Sequence, residues 1–149
     1  MRVVVQRVRE ARVEVDGQTV GAIGQGLVAF VGAGREDTER DAVYVADKVA
    51  GLRVFEDDAG KMSKAMADVG GSLLAVSQFT VFGDVRRGRR PDFTGAMEPV
   101  RAEQLFERFV ARARELGVPV QTGRFRAMMR VVVDNDGPVT ILIDSSRAF

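Results

Sequence analysis

Leu73-Leu74-Ala75-Val76-Ser77-Gln78-Phe79-Thr80 is the stretch on which the fold turns. Its first four residues are apolar without a break. A strand of this kind has no wet face and belongs inside a sheet that is covered on both sides. Ser77, Gln78 and Thr80 then add hydroxyl and amide groups where the strand leaves the core. A strand end is a rigid place from which to present hydroxyls and a backbone N–H to a ligand. The plainer reading is a strand edge whose hydroxyls bond locally, and chemistry alone favours it.

Outward from this stretch, Leu27-Val28-Ala29-Phe30-Val31 between glycines reads as a second central strand. Val3-Val4-Val5 is a buried strand, and Arg12-Val13-Glu14-Val15-Asp16 alternates as a strand with one wet face. Asp16-Gly17 marks a hairpin into a return strand over Thr19 to Ile23. Ala42, Val45, Ala46 and Val49 follow helical spacing after a cap at Asp37-Thr38. Arg53-Val54-Phe55 reads as strand and Asp57-Asp58-Ala59-Gly60 as a turn. A polar loop fills 83–98. A second helix starts near Pro99, buries a stripe from Ala102 to Leu116 and ends at Gly117. Met129 to Val133 and Val139 to Ile143 read as two strands. The expectation is one α/β domain over residues 1–149, with many strands and two principal helices covering one face of the sheets.

Composition narrows the chemistry. The chain has 149 residues, 46% of them hydrophobic, and a net charge of +1, a globular profile. The apolar start is broken by Gln6 and Arg7, so neither a signal peptide nor a membrane span is expected, and the cytoplasm is the expected location. The chain contains no Cys and no His. Disulfides, thiolate zinc sites, Ser-His-Asp and Cys-His catalysis are excluded with them. A hard cation held by carboxylates stays open. No cofactor is expected.

Two further segments stand out. Asn135-Asp136-Gly137-Pro138-Val139-Thr140 has the composition of an ordinary hairpin turn. It also contains a Gly-Pro bond, and the cis form of an X–Pro bond costs only ~0.5–1 kcal/mol. A cis Gly137-Pro138 aims two carbonyl oxygens in one direction. Arg86-Arg87-Gly88-Arg89-Arg90-Pro91 is a basic loop a few residues after Thr80, weighed slightly in favour of phosphate contact over a solvated charge run. Gly24-Gln25-Gly26 and Gly32-Ala33-Gly34 match no phosphate-loop or dinucleotide fingerprint and read as structural.

Taken together, the segments resemble one family. Ser77-Gln78-Phe79-Thr80-Val81 resembles the SQFTL motif of the D-aminoacyl-tRNA deacylases, with Val81 in place of Leu. Asn135-Asp136-Gly137-Pro138-Val139-Thr140 resembles their N-x-G-P-V-T motif. Gln6-Arg7-Val8, Gly60-Lys61-Met62, Arg90-Pro91 and Thr122-Gly123-Arg124-Phe125 follow the family's order, so the likeness spans essentially the whole chain. The tail Ser145 to Phe149 carries no function by this likeness.

The resemblance implies a fold of two stacked β-sheets with a helical layer. It implies hydrolysis of the ester in D-aminoacyl-tRNA, and in mischarged glycyl-tRNA, with L-aminoacyl substrates rejected. It implies a homodimer in which Gly137 and Pro138, in cis, enter the partner's active site and hold the substrate's α-amino group. Ser77, Gln78, Phe79 and Thr80 are the expected catalytic segment. The oxyanion donor is expected to be the Phe79 backbone N–H, with or without Thr80, while Ser77 and Gln78 shape the site. Three routes to water attack stay open: Thr80 as nucleophile, a carboxylate such as Asp84 as base, or the substrate's ribose 2′-OH. The resemblance favours the last. The rival class is a non-catalytic nucleic-acid-binding module on the same fold.

Overall fold

The computed structural model describes residues 1–149, and its first strand already departs from the expected pattern. β1 (Arg2–Val15) is one 14-residue strand that absorbs both Val3–Val5 and Arg12–Val15. Asp16 and Gly17 then turn the chain with positive φ at both positions, 50° and 77°, the geometry a two-residue hairpin needs. β2 (Gln18–Ile23) returns along the second half of β1, from Val15↔Gln18 to Ala11↔Ile23. β3 (Gly26–Gly32) pairs antiparallel with the first half, from Val8↔Gly26 to Arg2↔Gly32. One edge of β1 therefore serves two partners in succession.

α1 (Glu39–Ala50) buries Ala42, Val45, Ala46 and Val49, the four positions expected from helical spacing. The Asp41 carboxylate accepts the Thr38 backbone N–H at 2.8 Å and so closes the helix start. Arg53 and Val54 lie outside regular structure; only Phe55–Glu56 forms a strand, β4, paired with β5 (Met62–Lys64) across the expected turn. β6 (Ser72–Ser77) runs parallel to β3. α2 (Pro99–Glu115) packs against α1 and buries Leu105, Phe106, Phe109, Val110 and Ala113, while Leu116 at its end is exposed. β7 (Val120–Thr122), not foreseen, pairs parallel with β6.

β8 (Arg130–Asp144) corrects the last expectation. The two segments read as a hairpin are one strand, antiparallel to β1 from Glu14↔Arg130 to Arg2↔Asp144. Asn135 to Pro138 interrupt that strand without reversing it.

The main sheet runs β2-β1-β3-β6-β7, with β8 on the other edge of β1. It curls until β2 meets β7: a Cβ on Gly21 would sit 2.4 Å from the Thr122 carbonyl oxygen. The two stacked β-layers are thus halves of one curled sheet. Between them lies a small core that includes Val8, Val13, Ile23, Val28, Leu74 and Val76. A larger core joins Leu27, Ala29, Val31, Leu73 and Ala75 to the helices. β3 and β6 are apolar at successive positions because each faces one core with odd residues and the other with even ones.

Candidate active site

β6 ends at Ser77, and the chain does not continue as extended strand. Gln78 donates its backbone N–H to Val31 O at 2.8 Å, and Phe79–Phe82 then form a 3₁₀ turn. Val81 N–H returns to Gln78 O at 3.4 Å and Gly83 N–H to Thr80 O at 2.9 Å. The backbone N–H groups of Phe79 and Thr80 take no acceptor in the chain, as expected for the first donors of a helical turn. Ser77 and Gln78 are half-buried; Phe79, 56% exposed, and Thr80 face outward. Gln78 Nε2 donates to Thr80 Oγ1 at 2.9 Å.

The turn is seated on a glycine. A Cβ on Gly32, at the end of β3, would lie 2.3 Å from Val81 Cγ2 and 2.9 Å from Gln78 O. Gly32-Ala33-Gly34, read from the sequence as structural, lets the 3₁₀ turn settle onto the sheet. Phe93 meets Phe79 edge-to-face, with centroids 5.1 Å apart at 72°.

Above this floor opens a cavity of about 910 Å³. Ser77, Gln78, Phe79 and Thr80 all line it, opposite a wall from Phe125 to Met129 and beside α2 at Phe106. Most of the lining is apolar, and Arg126 is its single ionisable side chain. Arg126 sits at φ 61°, a left-handed conformation uncommon for a residue with a Cβ. Phe93 and the 125–129 wall escaped the sequence reading; Thr122-Gly123-Arg124-Phe125 was the available signal, quoted for its order alone.

The lining holds no carboxylate. Asp84, the base considered from sequence, lies outside it, and Arg86 occupies its carboxylate at 2.5–3.0 Å. The Arg86 guanidinium and backbone N–H hold the Asp84 pKa far below the ordinary carboxylate range, which leaves a weak base. Thr80 Oγ1 has the Gln78 amide as its hydrogen-bond partner and no basic side chain. No group of three or more acidic side chains is assembled to hold a cation.

Gly137 and Pro138 lie elsewhere. They are exposed and do not line this cavity. The β1–β8 register passes from Gln6↔Thr140 to Val8↔Asn135, so Asp136 to Val139 bulge out opposite Arg7 alone. The Gly137-Pro138 bond is cis and Gly137 has φ 140°. Four side chains hold the bulge, the outermost being Arg9, which donates to Asp136 Oδ1 at 3.4 Å. Arg7, only 7% exposed, donates to Asp136 O at 2.9 Å and to Val54 O at 2.6 Å. Asn135 Oδ1 accepts Val139 N–H at 2.9 Å, and Gln6 Nε2 donates to Thr140 Oγ1 at 3.2 Å. Gln6-Arg7-Val8 gives no local sign of this role, because Arg7 meets its partners only across the β1–β8 pair and at Val54.

Comparison with known proteins places the chain as a whole. A family model described as D-Tyr-tRNA(Tyr) deacylase matches residues 4–144. The chain belongs to that family. The D-aminoacyl-tRNA deacylase of Sorangium cellulosum (strain So ce56) is 71% identical over 150 residues, covering 100% of both chains. That of Thermotoga petrophila is 58% identical over 149 residues, again across 100% of both. A solved structure described as c-Myc DNA Unwinding Element Binding Protein superposes with a TM-score of 0.92 at 41% identity, over 97% of this chain and 98% of that one. Another, a "probable eukaryotic D-amino acid tRNA deacylase", gives a TM-score of 0.81 at 17% identity, over 96% of this chain and 98% of that one, a likeness of fold. The two segments that resemble the deacylase motifs lie at the cavity floor and in the bulge of β8. No helix of the chain is long and apolar enough to cross a membrane.

Proposed function

We propose that this chain hydrolyses the ester of D-aminoacyl-tRNA, and of glycyl-tRNA, to release the amino acid and tRNA in the cytoplasm. One observation carries the reading within the family: a cavity whose floor offers two unpartnered backbone N–H groups, Phe79 and Thr80, among hydroxyl and amide side chains. Such donors suit the oxyanion of an acyl-transfer intermediate.

The lining has neither imidazole nor carboxylate to activate water. That favours assistance by the ribose 2′-OH, a group that both donates and accepts. Asp84 is disfavoured by its pairing with Arg86. Thr80 as nucleophile is disfavoured by the lack of an adjacent base. Chiral selection is assigned to Gly137 and Pro138 of a second subunit. Their exposure on the rim of β8, outside their own cavity, leaves them available to a partner copy in a homodimer.

Release of amino acid from D-Tyr-, L-Tyr- and Gly-tRNA tests the reading; turnover of the first and third with the second spared is the expected result. Equal turnover of D- and L-Tyr-tRNA sinks the chiral assignment. A 2′-deoxy terminal adenosine hydrolysed at the normal rate rejects RNA assistance. Thr80→Ala losing no more than about tenfold rejects the covalent route. The structural relative described as a DNA-unwinding-element binding protein keeps a non-catalytic nucleic-acid-binding reading in view. Binding of D-Tyr-tRNA without turnover is the outcome that selects it.

A further inference from the structure

The hairpin beyond the 3₁₀ turn has features that hydrolysis at the cavity floor does not use. Asp84 and Asp92 exchange both backbone hydrogen bonds, at 2.8 and 2.9 Å, and close residues 84–92 into a loop with Gly88 at its tip. The base of that loop is fixed to the site. Gly83 N–H bonds Thr80 O at 2.9 Å, and Phe93, just past Asp92, packs on Phe79.

The charge on this loop is unbalanced. Four arginines minus two aspartates give it +2, whereas the whole chain carries +1, which leaves −1 for everything else. Arg86 is consumed by Asp84 at 2.5 Å. Arg87, Arg89 and Arg90 are exposed, have no carboxylate within 4.0 Å and make no side-chain hydrogen bond. Three unpaired guanidiniums on one short loop repel each other, and an arriving row of anions would relieve that repulsion. Arginine's fork of donors suits phosphate in particular.

We propose that Arg87, Arg89 and Arg90 form a docking surface for the phosphodiester backbone of RNA next to the ester-bearing nucleotide. The RNA is identified as tRNA through the proposed function; the phosphate chemistry rests on the hairpin alone. The loop contributes substrate affinity, and the cavity floor contributes the chemistry.

The test is the triple variant Arg87→Gln/Arg89→Gln/Arg90→Gln, with Arg40→Gln/Lys61→Gln/Arg101→Gln as a charge-matched control. KM and kcat on D-Tyr-tRNA are measured over a range of KCl concentrations, beside hydrolysis of a D-tyrosyl-adenosine ester and binding of uncharged tRNA by anisotropy. The expected result is a KM raised about tenfold or more with kcat within twofold. The log–log salt slope should become shallower by about 2, since each lost phosphate contact to a single strand contributes ~0.7. Uncharged tRNA should bind correspondingly more weakly, and the adenosine ester should be hydrolysed as before. An unchanged slope, an equal loss on the adenosine ester, or the same loss in the control overturns the proposal. Should the unaltered protein fail to turn over D-Tyr-tRNA, the proposed function fails, and uncharged-tRNA binding still decides the hairpin.

Discussion

Ser77–Phe82 and Asn135–Thr140 are the two segments that resemble the family's motifs, and they are built in opposite ways. The first ends a strand that is buried on both faces, and its turn is seated against Gly32. The second interrupts an edge strand, stands exposed, and is held by side chains of β1 and its own Asn135. The core shapes the cavity floor, so its geometry follows from packing. The bulge is shaped by four polar tethers, so its geometry depends on single hydrogen bonds. A floor that binds developing charge must not move. The bulge stands exposed, as its proposed role in a second subunit requires.

Substitutions in and around the two segments test that contrast. The largest effect is expected for Gly32→Val, which drives a branched side chain into Val81 and Gln78 O. Displacement of the floor should cost kcat/KM at least about 10²-fold, with about 1–3 kcal/mol of stability lost to overpacking. Near-normal turnover would show that the 3₁₀ turn is not the oxyanion site.

Arg7→Gln comes next. It removes the donors to Asp136 O and Val54 O and leaves both carbonyls short of a partner. A loss of about 1–3 kcal/mol is expected in chemical denaturation, with the ratio of D- to L-Tyr-tRNA turnover falling more than kcat. Equal loss on the two substrates would deny the bulge its selective role.

Gly137→Ala should act on selectivity with less effect on stability. A Cβ there meets Val139 N at 2.9 Å, at a backbone φ of 140° that favours glycine. The bulge must shift, and rejection of L-Tyr-tRNA should weaken by about tenfold, equivalent to ~1.4 kcal/mol. Retained rejection at the wild-type ratio would count against this segment.

Asp84→Asn is expected to have the smallest effect, with kcat at pH 7 within twofold of wild type. Asp84 has its folded pKa lowered by Arg86, so its contribution is present above the unfolded pKa and is lost as pH falls towards the folded one. No change in that contribution should appear between pH 6 and 8. A kcat that collapses in the variant would restore Asp84 as the base.

Both helices, the central strands Leu27–Val31 and Leu73–Val76, and the Asp16-Gly17 hairpin were legible because each is set by local period or turn chemistry. The Asn135–Pro138 segment was misread as a reversal because Asn, Asp, Gly and Pro suit turns and bulges equally. Only the pairing partner distinguishes the two. β7 was missed because three residues carry too little periodicity to register. Arg53–Phe55 was over-read for the same reason, with only Phe55 inside a strand.

The chain alone determined that catalysis must proceed without imidazole or thiolate, and that two ordinary-looking segments belong together in one family. Composition and residue order are complete in the sequence, so neither conclusion waited on a fold. Tertiary structure decided that Phe79 and Thr80 present free N–H groups in a cavity, that Asp84 lies outside it and pairs with Arg86, and that Arg7 braces the bulge from the far side of a strand pair. Each is a contact between groups whose distance and orientation depend on how the sheet curls, and no local pattern encodes that.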